Sequence, residues 1–62
     1  MQLRRLREAQ GLSVEELAAR SGMSFRGVLY IEHGRRNPSL LTLIQLAAGL
    51  KTTLAELVAD IP

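Results

Sequence analysis

The chain has no cysteine and no tryptophan, a single histidine, and only two aromatic residues, Phe25 and Tyr30. Without thiols, neither a disulfide framework nor a thiolate metal site can form. One imidazole leaves no partner for a His-based metal site within the chain, so no metal is expected. Long apolar runs are missing too, and nothing approaches the roughly 20 residues that span a bilayer. The N-terminus, MQLRRLREAQ, lacks the apolar core of a signal peptide. There is no nucleophile–base pair and no glycine-rich phosphate loop, and the lone His33 sits in a polar EHG context. An enzyme is therefore not expected, nor a cofactor, nor a membrane partner. These absences leave a small cytoplasmic binding protein as the expectation.

What is present is a 62-residue chain that is 47% hydrophobic, enough for one folded domain over residues 1–62. A domain this small buries only about 60% of the surface its unfolded chain exposes, so its stability is marginal. The formal charge is only +2. Its makeup says more, because every basic residue except Lys51 is arginine. They fall in three groups: Arg4/Arg5/Arg7, Arg20/Arg26 and Arg35/Arg36. Arginine is a planar, bidentate partner for phosphate and for guanine, whereas isolated surface arginines are ordinary solvated charge.

Helical periodicity dominates, and no segment alternates with period two. Leu3, Leu6 and Arg7 share one face of a first helix ending near Gly11. Ser13 and Glu16 form a capping box that opens a second helix, with Leu17 and Ala18 inward. Ser24 caps a third, carrying Val28 and Ile31 at i and i+3. After the loop GRRNP, Ser39 opens a fourth helix in which Leu40, Leu43, Ala47 and Leu50 are expected to face in. Thr53 and Glu56 start a short fifth, with Leu57 in the core. The sequence thus predicts an all-α, five-helix bundle.

From about residue 14 to 32 the spacing is that of a helix-turn-helix. Ala18 is small where a second helix crosses it, and Gly22 can take the positive φ of a sharp interhelical turn. Val28 and Ile31 pin the next helix and leave its opposite face outward. Together with GLSVEELA, IEHGRRNPS and TLIQLAAGL followed by the Thr-capped LAELV, this frame resembles the phage-repressor family of Cro and cI type over residues 3–58. The GRRNPS loop is similar to that of the controller proteins of restriction–modification systems. The resemblance implies a compact lambda-repressor-like DNA-binding domain, a bacterial or phage transcription regulator or repressor found on the nucleoid when bound. It also implies a homodimer on a pseudo-palindromic site in double-stranded DNA, and an ion pair between Arg7 and Glu32 that ties the first helix to the third.

By family position, the base-reading candidates are Ser24, Phe25, Arg26, Gly27 and Tyr30, with Leu29 beside them. Gly27 costs about 1 kcal/mol against alanine in a helix interior; a missing side chain that lets the helix approach the groove is the compensation expected. Two helix N-termini are the phosphate candidates. One is Ser13 and Val14, where valine replaces the usual polar residue. The other is the loop Arg35, Arg36, Asn37 and Ser39. Lys51 stands where glycine is usual, so a left-handed residue there would be mildly strained. Leu41 replaces a residue that is charged in relatives. With Ile61 and Pro62 closing the sequence, a dimer is expected to use the bundle itself, through Leu54, Val58 and Ile61. The alternative reading keeps the same fold but presents Phe25, Leu29 and Tyr30 to a protein partner.

Overall fold

Hydroxyl side chains set four of the helix starts. In the computed structural model, which describes residues 1–59, α2 spans Val14–Ser21, α3 Phe25–Glu32, α4 Leu40–Gly49 and α5 Leu54–Val58. Their N-caps are Ser13, Ser24, Ser39 and Thr53, and each side-chain oxygen accepts from the amide three residues on. The first helix, α1 (Leu3–Ala9), has no side-chain cap. Its entry is held instead by the Gln2 amide, which donates to the Leu57 carbonyl at 2.9 Å and ties the N-terminus to α5. No strand occurs among the described residues.

The helix ends repeat one device. Leu12, Met23, Arg35 and Thr52 each donate their amide to the carbonyl five residues back, the hydrogen bond of a Schellman motif. The residue before each donor has positive φ: Gly11, Gly22, Gly34 and Lys51. Only Lys51, at φ 55°, pays the Cβ penalty of the left-handed region. Lys51→Gly should therefore stabilise the fold by about 0.5–1 kcal/mol, less than the full penalty because glycine also loosens the unfolded chain. A urea titration that shows no rise in midpoint would contradict this.

The core is Leu3, Leu12, Leu17, Ala18, Val28, Ile31, Leu46, Ala47, Leu50 and Leu57, with Leu6, Val14, Met23 and Leu43 packed against it. One expectation about α4 needs correction, and one core residue is added to it. Leu46 is fully buried, and Leu40 is 64% exposed rather than inward. Nearly every residue of LLTLIQLAAG is apolar, so periodicity alone could not choose the inner face. Leu40 shares the helical phase of Ala47, but it occupies the first helical position, next to the exposed loop residues 35–37 and Ser39. The helix passes close over α2 at its far end, where Gly49 faces Ser21 and Leu17.

Candidate nucleic-acid interface

The turn between α2 and α3 sets the direction of the candidate reading helix. Gly22 adopts φ 69°, ψ 32°, its amide returns to α2, and the Met23 amide bonds Ala18 at 2.9 Å. Buried Ala18 permits close crossing, and buried Val28 and Ile31 lock one side of α3 to the core. Phe25, Arg26 and His33 are left exposed, with Leu29 and Tyr30 half-buried at the margins. Among these, Phe25 (44% exposed) is the large apolar side chain most open to solvent.

A second restraint fixes the far end of α3. Arg7 Nε donates to Glu32 Oε2 at 2.7 Å, and Arg7 Nη2 to Glu32 Oε1 at 3.1 Å. Arg7 Nη1 also donates to the Leu12 carbonyl at 2.7 Å. The carboxylate side chain is only 2% exposed and the guanidinium 12%. Pairing with Glu32 pushes the Arg7 pKa further above its ordinary range, with burial opposing. Arg7 is thus spent on the frame and leaves the basic surface. Arg4 forms only an exposed i,i+4 pair with Glu8, which contributes little to stability.

Gly27 needs a correction. It is buried rather than outward, so it presents no surface to a groove. A Cβ at that position would lie 3.1 Å from Ser24 Oγ, 3.6 Å from Met23 Cε and 3.9 Å from Arg36 Nη1. Its missing side chain makes room for protein. The Ser24 hydroxyl oxygen, in turn, accepts from the Gly27 amide at 3.0 Å and serves first as a cap.

The two helix openings differ. At α2, Ser13 N donates to Glu16 Oε1 at 2.9 Å and Ser13 Oγ accepts from Glu16 N at 3.0 Å. The Ser13 backbone amide also holds the Glu16 carboxyl below its usual range. Two of the four opening amides are therefore occupied, Glu15 and Glu16 put negative charge in the first turn, and the Val14 side chain packs on the core. An incoming phosphate would have the Val14 and Glu15 amides, against that charge. At α4 no acid lies in the first turn. Ser39 Oγ accepts from Thr42 N at 3.1 Å, and Arg35, Arg36 and Asn37 are exposed just upstream. Amides and cations are both present at this second opening, the combination that suits an anion.

The loop also folds back on α3. Arg36 Cζ lies 5.8 Å from the centroid of the Tyr30 ring, within cation–π range. This contact was not legible from helical spacing, because it depends on the path of the loop after Gly34, whereas Gly27 is crowded chiefly by Ser24 and Met23 at the start of its own helix. The outside of α4 carries an apolar run in which Leu41 (67% exposed), already set apart in the sequence, is joined by Leu40 (64%) and Ile44 (49%). The residues expected at a dimer surface sit differently. Leu54 and Val58 are half-buried, and Ile61 lies outside the described residues.

Two short helices joined at a glycine turn, the second exposing an arginine beside an arginine-rich loop, define a helix-turn-helix protein. A helix-turn-helix family profile matches residues 3–57, and the chain belongs to that family, of Cro/cI-like type. It is 48% identical over 54 residues to an uncharacterised HTH-type transcriptional regulator, y4dJ, of Sinorhizobium fredii, covering 87% of this chain and 70% of that one. Control protein C.MunI of a Mycoplasma species is 43% identical over 60 residues, covering 95% and 81%. The fold is similar to that of the restriction–modification controller protein C.AhdI from Aeromonas hydrophila, with a TM-score of 0.87 and 45% identity over 89% of this chain and 83% of that one. Longer curated relatives also match; the chain spans 25% of one and 38% of another.

Proposed function

We propose that the chain is a transcriptional regulator that binds duplex DNA by sequence, with α3 in the major groove and residues 35–39 on the phosphate backbone. The observation that carries this reading is the outward face of α3, where Arg26 stands exposed on a helix braced by Val28, Ile31 and Glu32. An arginine so placed can pair with guanine O6 and N7, and Phe25 can pack on a thymine methyl. Ser24 has its hydroxyl proton left to donate to a base or phosphate. Relatives named as transcriptional regulators and controller proteins support the same reading, and none of this calls for catalysis. A pseudo-palindromic site would be read by two copies, and the exposed Leu40, Leu41 and Ile44 supply apolar surface for a second copy beside the α4 opening.

The alternative of a protein-docking α3 loses support from the burial pattern. Leu29 and Tyr30 are half-buried and Tyr30 is covered by Arg36, which leaves Phe25 without an apolar neighbour of comparable exposure.

Arg26 and Arg35 separate the two kinds of contact. Arg26→Ala should cost about 1–3 kcal/mol on the preferred site and flatten the preference between sites. Arg35→Ala should weaken all sequences alike and reduce the salt slope, log Kobs against log salt, by about one unit. Fluorescence-anisotropy titrations at several salt concentrations read both. Binding indifferent to salt, or an Arg26→Ala variant with unchanged preference, would count against the reading.

A further inference from the structure

Tyr30 and Arg36 come together although sequence alone puts one among the base readers and the other on phosphate. Gly27 and Tyr30 are three residues apart on α3 and therefore neighbours on its surface. The Gly34 turn, closed by Arg35 N to Tyr30 O at 2.8 Å and Gly34 N to Ile31 O at 3.1 Å, sends the chain back along the helix. Arg36 follows directly. Its guanidinium carbon sits 5.8 Å from the Tyr30 ring centroid, and its Nη1 lies 3.9 Å from where a Gly27 Cβ would be. That Cβ would meet Ser24 Oγ first, at 3.1 Å, and touch Arg36 only at ordinary van der Waals distance.

We propose that Tyr30 is a positioning residue for Arg36, with its ring as platform, so that Tyr30 contributes to DNA binding through the guanidinium rather than by touching a base. The proposal rests on the DNA-binding reading above. Its physical basis is preorganisation. A long, rotamer-rich side chain loses entropy when it docks on DNA, and a platform that already holds the guanidinium plane raises the fraction of molecules ready to bind. Arginine is suited to this because it is planar and stacks on aromatic faces, as lysine's point charge does not.

A double-mutant cycle tests it. Affinity for one selected duplex is measured for the wild type, Tyr30→Phe, Tyr30→Leu, Arg36→Gln and the Tyr30→Leu/Arg36→Gln double variant, with thermal melts to confirm folding. Tyr30→Phe keeps the ring and should bind like wild type. Tyr30→Leu should weaken binding about two- to fivefold, the range a partly exposed cation–π contact supplies. In the Arg36→Gln background, Tyr30→Leu should cost nothing further. Equal losses in both backgrounds, or a Tyr30→Phe loss as large as that of Tyr30→Leu, would overturn the proposal. Proton NMR of the free protein supplies a reading independent of DNA. The Arg36 Cδ protons should be shifted upfield by the ring in wild type and return to ordinary positions in Tyr30→Leu. Unshifted Arg36 protons in wild type overturn the platform. A wild-type chain that binds no duplex overturns both this role and the reading beneath it, whereas binding without coupling overturns the role alone.

Discussion

Arg7→Ala is expected to abolish cooperative folding near room temperature. The substitution leaves the Glu32 carboxylate, 2% exposed, without its cation, and it orphans the Leu12 carbonyl that Arg7 also serves. Removing one partner of a buried ion pair costs about 3–5 kcal/mol, because the remaining charge stays desolvated. A folded chain of 62 residues holds only about 3–9 kcal/mol. A circular-dichroism melt should therefore show no folded baseline, or a midpoint lowered by tens of degrees. The control is Arg7→Met combined with Glu32→Met, which removes both charges and fills similar volume. It should recover most of the loss, since apolar replacement of a buried pair is often neutral or better. A melt of Arg7→Ala within a few degrees of wild type would show that the pair contributes little.

Gly49→Ala should destabilise by about 1–3 kcal/mol, the usual cost of overpacking, although alanine is the better helix former by about 1 kcal/mol. Packing wins here because of what the new methyl meets. It would run into Ser21 Oγ and lie 3.3 Å from both Ser21 Cβ and Leu17 Cδ1. Leu17 and Ser21 are buried, so neither can swing into solvent. The Ser21 hydroxyl is itself buried without a hydrogen-bond partner, an arrangement that costs about 1–3 kcal/mol relative to a satisfied group. Ser21→Ala should accordingly be neutral or stabilising. In that background Gly49→Ala should lose most of its penalty, because the main obstacle is the hydroxyl. Urea titrations of the four proteins give the coupling directly, and simple additivity would contradict the account.

How far the fold was legible depended on how much each segment contrasted polar with apolar residues. The caps at Ser13, Ser24, Ser39 and Thr53 stood out because a hydroxyl precedes each helical run. Val28 and Ile31 stood out because they fall at i and i+3 in the positions that the helix-turn-helix frame turns inward. In α4 that contrast vanishes, and Leu40 was placed inside while Leu46 was missed. Leu12 was missed for a different reason: it lies between helices, where no periodicity applies, and it is buried by the turn after Gly11. The interface was legible in outline, since Arg26 and the loop 35–39 follow from the helix-turn-helix frame. Gly27 faces inward because the residues that open α3 crowd it, with Ser24 Oγ 3.1 Å and Met23 Cε 3.6 Å from where its Cβ would be and Arg36 farther off at 3.9 Å. The strain at Lys51, by contrast, was readable from a single residue standing in a glycine position.

The most direct test of DNA reading by α3 is a selection from random duplexes at low salt with the purified chain. Enrichment of a two-fold-related pair of half-sites about one helical turn apart, or a multiple of it, is expected. Each half-site should contain a guanine whose enrichment disappears in Arg26→Ala. A selected pool no better bound than a scrambled mixture would contradict it.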